Sequence, residues 1–156
     1  MVSGGTAYCW GGNYFGQLGD GTGGNGGDQS ANRLVPVAVS GGRTYTALAA
    51  GDAHTCGLAT GGTAYCWGYN GNGQLGDGTS GNGGDQSADR LVPVAVSGGR
   101  TYTALVAGGE HTCGLATGGT AYCWGWNAYG QLGDGTSGNG DSSADRLVPV
   151  AVSRRI

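Results

Sequence analysis

Short apolar segments alternate with glycine-rich polar segments along the whole chain, and the same order of segments recurs every 57 residues. The string AYCWG, for example, begins at Ala7, Ala64 and Ala121. The copies are residues 4–60, 61–117 and 118–156, of which the last is truncated. The first two copies differ at only eight of 57 positions. The chain is therefore predicted to be a single repeat array covering residues 1–156.

Within one copy, the apolar segments have the length and composition of short β-strands. Over the length of one period these segments are residues 34–39, 45–50, 54–59 and 63–67. No segment has a sustained helical periodicity, and each glycine would destabilise a helix by roughly 1 kcal/mol. Four short strands in a repeat of this length are typical of a β-propeller blade. We therefore predict an all-β fold of four-stranded antiparallel β-propeller blades.

The repeated motif also resembles a known family. WGxNxxGQLGDGT, followed by RLVPVAV and then by GxxHTCGL, is similar to the repeats of the regulator of chromosome condensation family. The variant with cysteines resembles repeats common in bacterial surface and secreted proteins. The resemblance covers essentially the whole chain and implies propellers of seven blades. It also implies that His54 and His111 are structural and bond backbone between strands.

The strand count is too small to close such a propeller. The chain holds three copies of TAYCWG and of VPVAV, but only two of YTAL and of HTCGLAT. We expect two complete blades and one orphan strand at each end, forming an open, incomplete propeller. Three explanations remain open: a piece of a longer repeat protein, a chain that assembles with copies of itself, or a small open stack. Assembly would join strands near residues 6–10 and 148–152.

The cysteine positions predict two disulfides. A three-residue loop at residues 60–62, with Gly62 left-handed, would place Cys56 directly opposite Cys66. The same register pairs Cys113 with Cys123, which leaves Cys9 unpaired, as a free thiol or an intermolecular link. No CxxC spacing indicates zinc. Disulfides predict an extracytoplasmic protein, secreted or on the cell surface, although MVSGGTAYCW has no features of a signal peptide.

Composition excludes several classes of function. Of 156 residues 38 are glycine, the net charge is −3 and every cation except the histidines is arginine. A chain without a basic face does not fit nucleic-acid binding. No apolar run approaches the roughly 18 residues that a membrane-spanning helix needs, so no membrane insertion is expected. GxxxxGK[ST], HExxH and GxSxG are all absent, and we predict that the chain is not an enzyme.

One loop gathers oxygen ligands among glycines, which favours calcium in extracellular proteins. The weak calcium candidates are Asp77, Asn82, Asp85 and Asp89. Their spacing matches neither the EF-hand nor the glycine-rich nonapeptide repeat. The alternative is that Asp and Asn form local turns with their own backbone. Calcium apart, no cofactor is expected.

The few differences between copies indicate where function lies. Trp10, Trp67 and Trp124 occupy one repeat position and are predicted to be blade core. Most differences fall instead in loops, where they exchange aromatic residues. The candidate binding residues are Tyr14, Phe15, Tyr69, Trp126 and Tyr129. Such variation fits a binding surface on a constant scaffold, or drift at unconstrained loop tips.

The sequence thus predicts a non-catalytic propeller scaffold that presents variable loops to a protein partner. The alternative is a structural protein whose blades stack head-to-tail on copies of itself into a ring or filament.

Overall fold

The structure is a computed structural model, and it describes residues 2–3, 5–24, 28–81 and 86–153. Within these ranges the chain forms eleven strands. They are β1 (Val2–Ser3), β2 (Thr6–Gly11), β3 (Arg33–Ala38), β4 (Tyr45–Ala50), β5 (His54–Ala59), β6 (Ala64–Gly68), β7 (Arg90–Ala95), β8 (Tyr102–Ala107), β9 (His111–Ala116), β10 (Ala121–Gly125) and β11 (Arg146–Ala151). The helical elements of this part of the chain are three-residue 3₁₀ turns, and none is long enough to cross a membrane.

The strands form three antiparallel sheets in chain order. The N-terminal sheet contains β1, β2 and β3, the first blade contains β4 to β7, and the second blade contains β8 to β11. Within each sheet, each strand pairs with the strand before it because glycine-rich turns fold the chain back on itself. The prediction of an all-β array with two complete four-stranded blades is confirmed.

The leftover strands, however, do not lie one at each end. β3 pairs with β2 in the N-terminal sheet, and β11 pairs with β10 as the fourth strand of the second blade. The reason is that each RLVPVA strand returns along the AYCWG strand that precedes it, across the glycine-rich loop. The first such pair therefore forms a partial blade, to which the short β1 adds only two residue pairs.

The hairpin between β5 and β6 has the predicted register. The Ala59 amide donates to the Thr63 carbonyl, and Cys56 lies directly opposite Cys66 with their Cα atoms 4.0 Å apart. Gly62 has a φ of 89°, which glycine adopts without steric cost. The structure contains the Cys56–Cys66 disulfide at this pair.

The second blade repeats this arrangement. Cys113 lies opposite Cys123, and the two form a disulfide. Cys9 is a free cysteine; β1 occupies the place beside β2 that β5 has beside β6, but it pairs only with Thr6 and Ala7 and does not extend to Cys9.

A repeated joint connects neighbouring blades. The Gln74 carbonyl, in the loop after β6, accepts hydrogen bonds from Trp124 Nε1 and from Thr112 Oγ1 of the second blade, both at 3.0 Å. Gly76, with a φ of 69°, lies so close to this indole that a Cβ there would be 2.7 Å from Nε1. The GQLG segment of one blade therefore holds the tryptophan of the next.

The same joint explains why Trp10 differs from its equivalents. The Gln17 carbonyl accepts hydrogen bonds from Trp67 Nε1 and Thr55 Oγ1, and Trp67 is fully buried. No blade precedes the N-terminal sheet in the described part of the chain, and Trp10 is 47% exposed. The core prediction is confirmed for Trp67 and Trp124 and is wrong for Trp10, because burial at this position depends on a neighbouring blade.

The apolar core lies between sheets. One buried cluster joins the N-terminal sheet to the first blade, and its members are Ala7, Val39, Tyr45, Ala59 and Trp67. A larger cluster joins the two blades and includes the first disulfide; its members are Cys56, Leu58, Ala64, Cys66, Leu75, Val96, Tyr102, Ala116 and Trp124.

Candidate protein-binding face

Five of the eight positions that differ between the first two copies belong to two loops at the same end of each blade. One loop follows the AYCWG strand, and the other connects the first two strands of the blade. Backbone bonds join the two loops: the Tyr69 amide donates to the Ala53 carbonyl, and the Trp126 amide donates to the Glu110 carbonyl, both at 2.9 Å. Variable positions that are distant in sequence are therefore neighbours within a blade.

Further contacts connect these loops from one sheet to the next. The ring centroids of Phe15 and Tyr69 are 4.8 Å apart, and those of Tyr14 and Phe15 are 4.6 Å apart. Between the two blades, Asn72 Nδ2 donates to Glu110 Oε2 at 3.1 Å. Five of the eight differences between the first two copies thus lie at one end of the molecule. We call this end the variable face; its residues are Tyr14, Phe15, Asp52, Ala53, Tyr69, Asn72, Glu110, Trp126 and Tyr129.

The candidate binding residues form two aromatic clusters on this face. Tyr14, Phe15 and Tyr69 make the first, across the boundary between the N-terminal sheet and the first blade. Trp126 and Tyr129 make the second, with ring centroids 5.4 Å apart in an edge-to-face arrangement, and Tyr129 is 75% exposed. The backbone of Glu110 contacts Trp126, so the two clusters lie on one continuous surface.

A repeated polar network supports each variable loop. Asn70 is fully buried; its Oδ1 accepts from the Leu75 amide at 3.0 Å, and its Nδ2 donates to Asp77 and to Thr79. The Asp77 carboxylate also forms an ion pair with Arg90 at 2.9 Å. Asn13 and Asn127 make the equivalent bonds in the other copies. Every polar group of the amide side chain is used, so the loop is rigid beneath the residues that vary.

Two of the calcium candidates, Asp77 and Asp89, bond to protein groups within this network. Asp77 bonds Asn70, Thr79 and Arg90, and Asp89 Oδ1 accepts from the Asn70 amide at 2.8 Å. Asn82 and Asp85 lie outside the described residues. Among the residues that the structure describes, no group of three or more His, Cys, Asp or Glu side chains could hold a metal ion. Calcium binding by this loop stays a prediction.

The charges on the variable face are negative. Burial raises the pKa of Glu110, and the nearby carboxylates of Asp52 and Asp145 raise it further. Burial, with Glu110 close by, likewise raises the pKa of the Tyr69 hydroxyl. Within the described ranges, no ion pair neutralises Glu110 or Asp52. The face therefore combines aromatic rings with carboxylates that form no ion pair with a described residue.

The five arginines that the structure describes make contacts away from the variable face. Arg33, Arg90 and Arg146 form ion pairs with the Asp residues of the supporting networks. Arg43 and Arg100 lie at the opposite end of the blades, over the rings of Tyr65 and Tyr122, at 4.2 and 4.3 Å from the centroids.

His54 makes a contact between the two blades. His54 is buried, and its Nε2 bonds Thr112 Oγ1 of the second blade at 2.9 Å, rather than the backbone bond between strands that the family resemblance implies. This bond belongs to the joint between blades. Glu110, in contrast, is a functional candidate that sequence reasoning left out of the binding set, although the difference between Ala53 and Glu110 in the two copies marked it.

Comparison with protein-family models finds a match along the chain. The model described as "Regulator of chromosome condensation (RCC1) repeat" matches residues 4–58, 61–115 and 118–155. A second model of the same description matches residues 45–74 and 102–131.

Two curated proteins illustrate the similarity. The ultraviolet-B receptor UVR8 of Arabidopsis thaliana is 35% identical over 154 residues, which is 96% of this chain and 30% of that protein. The probable E3 ubiquitin-protein ligase HERC4 of Homo sapiens is 34% identical over 128 residues, 81% of this chain and 11% of that protein. The chain thus spans less than a third of either relative.

Solved structures share the fold. Prp20p from Saccharomyces cerevisiae, described with its binding properties to Gsp1p and histones, superposes with a TM-score of 0.75 at 21% identity, covering 96% of this chain and 34% of that one. Human WBSCR16 superposes with a TM-score of 0.72 at 23% identity, covering 98% of this chain and 36% of that one.

Proposed function

The chain belongs to the regulator of chromosome condensation (RCC1) repeat family, and from that premise we propose that it is a non-catalytic scaffold whose variable face binds a protein partner. Propeller repeats place constant strands under exchangeable loops, which suits them to recognition. Protein binding described for the structural relative Prp20p supports this role. HERC4 is named as a ligase, but this chain matches only 11% of it, and no enzymatic motif occurs here.

One observation carries the proposal. Near-identical repeats concentrate their differences at positions whose side chains meet on a single face, while the hydrogen bonds of the network beneath them are repeated. Drift at loop tips would not select one end of the molecule. Even a difference within the network is conservative: Asn32 and Asp89 each use Oδ1 to accept the same backbone bond, from Asn13 and from Asn70 respectively.

The proposal is tested by exchanging residues between copies. Tyr14→Gly, Phe15→Asn and Tyr69→Gly replace each aromatic ring with the residue that another copy holds at the same position, so the fold is expected to survive. Immobilised wild-type protein is incubated with the extracellular protein fraction of its source organism, and retained proteins are quantified by mass spectrometry. We expect at least one protein to be retained about tenfold less by the triple variant, because aromatic residues dominate interface energetics.

The matched control is Val106→Ala, which makes the same kind of exchange with Ala49 at a strand position that is not part of the variable face. It is expected to retain the partner as wild type does. A triple variant that is folded by circular dichroism and retains every protein equally would contradict the proposal.

We further propose an extracytoplasmic location, supported by the two disulfides in the structure. Quenching producing cells with N-ethylmaleimide before lysis should label Cys9 and leave the other four cysteines unlabelled until a reductant is added. Peptide mass spectrometry reports each site separately. Labelling of all five cysteines in the quenched cells would place the protein in a reducing compartment and defeat this part of the proposal.

Self-assembly is the second candidate, and uncovered blade faces favour it. Leu58 of the first blade is 6% exposed because the second blade covers it, whereas the equivalent Leu115 is 42% exposed. At the other end, Trp10 lacks the glutamine carbonyl that its equivalents bond. Light scattering without reductant separates the candidates, because a head-to-tail assembly grows with concentration and a binder keeps a constant mass.

A further inference from the structure

The first aromatic cluster forms one wall of a cavity on the variable face. The cavity has a volume of about 370 Å³, and its lining residues are Tyr14, Phe15, Ala53, Tyr69, Gln86 and Glu110. Three sheets contribute to it: the N-terminal sheet supplies two rings, the first blade supplies the third, and the second blade supplies the carboxylate. The cavity is therefore a product of blade packing, and no single repeat contains it.

The lining of the cavity combines aromatic rings with a negative charge. Three aromatic rings line the cavity. Glu110 adds a carboxylate, whose Oε2 accepts a hydrogen bond from Asn72 Nδ2 at 3.1 Å. The described arginines are either paired with Asp residues or stacked at the opposite end, so none of the residues that the structure describes offers the cavity a cation. Rings and a carboxylate without a cation are complementary to a positively charged group.

We propose that this cavity binds an arginine side chain of the protein partner, with the guanidinium stacked against the rings and ion-paired with Glu110. The inference rests on the proposed function and specifies the chemistry of that same face. Arginine fits better than lysine, because its planar guanidinium stacks on aromatic faces while its N–H groups donate to a carboxylate. Arg43 over Tyr65 shows the same stacking within this chain.

The test uses the full-length oxidised chain and two blocked tripeptides, acetyl-Gly-Arg-Gly-amide and its citrulline counterpart. Citrulline has nearly the shape of arginine but no charge. Titrations followed by amide chemical shifts are expected to give about fivefold weaker binding of the citrulline peptide, with the arginine-dependent shifts centred on Phe15, Tyr69 and Glu110. Raising the salt from about 0.05 M to about 0.5 M should weaken only the arginine peptide.

Two variants locate the site. Glu110→Ala installs the residue of the first copy, Ala53, and Tyr69→Gly installs that of Gly12, so neither should disturb the fold. Each is expected to weaken arginine-peptide binding about three- to fivefold, while Val106→Ala leaves it unchanged. Equal affinity for the two peptides, or undiminished binding by the folded Glu110→Ala variant, would overturn the proposal.

This failure is distinguishable from failure of the proposed function. If the triple exchange variant loses the partner but the chain does not prefer arginine over citrulline, the arginine cavity is overturned and the variable face remains the binding surface. If the triple variant retains every protein, the binding face itself is wrong, whatever the peptides do.

Discussion

Replacing Trp124 with alanine is expected to lower the free energy of unfolding by about 3–5 kcal/mol, which is typical for a buried aromatic residue. The indole is fully buried between the two blades and donates to the Gln74 carbonyl at 3.0 Å. Truncation leaves a cavity at the joint and removes that bond. Urea denaturation followed by far-ultraviolet circular dichroism, without reductant, measures the loss.

The chain contains its own control at the same repeat position. Trp10 is about half exposed, because no blade lies before its sheet in the described part of the chain. Trp10→Ala is therefore expected to cost less than about 1 kcal/mol, as substitutions of exposed residues usually do. If Trp10→Ala and Trp124→Ala lowered the free energy of unfolding by similar amounts, the tryptophan would stabilise each hairpin alone and not the joint between blades.

Acidification between about pH 6.5 and pH 4 is expected to destabilise the protein through His54. Burial, and to a lesser extent the proximity of His111, lowers the pKa of His54 from 6.5 to about 4. Thr112 Oγ1 donates to the Gln74 carbonyl and so accepts from His54 Nε2–H. The other ring nitrogen, Nδ1, is buried without a hydrogen-bond partner, so a second proton there would be unsatisfied.

The sign follows from proton linkage. Between the two pKa values the unfolded chain binds a proton at His54 and the folded chain does not, so stability falls as the pH falls. The loss is about 3 kcal/mol over the whole interval, and it is complete once the pH is below the folded pKa. Burial also lowers the pKa of His111, which adds to the loss. The raised pKa values of Glu110 and Asp145 offset part of it.

The measurement is the free energy of unfolding in urea at a series of pH values. His54→Gln removes the titrating group, and its pH dependence in this interval should be flatter than that of wild type by about one proton. Asp20 and Asp134, whose pKa values are lowered, lose their contribution to stability only below about pH 4. They therefore do not affect the slope in the interval that His54 controls. If the free energy of unfolding of His54→Gln depended on pH as steeply as that of wild type, the assignment to His54 would be contradicted.

Local features of this fold could be predicted from the sequence because their causes are local. The 57-residue period, the short strands and the glycine-rich turns determine which segments pair as hairpins. The loop of residues 60–62 sets the register by its length, and the register alone brings Cys56 opposite Cys66. The variable loops could be identified as well, since comparison of the copies exposes them without any coordinates.

The packing between sheets could not be predicted in this way. Whether a tryptophan of the repeat is buried, as Trp67 is, or half exposed, as Trp10 is, depends on a glutamine carbonyl about 50 residues away in the preceding sheet.

The cavity of Phe15, Tyr69 and Glu110 likewise brings together residues from three sheets. Sequence by itself thus determined the repeat, the strands, the disulfides and the variable positions. Only the tertiary structure decided which sheet completes each blade and which variable side chains meet, because those outcomes depend on packing between segments that no local pattern connects.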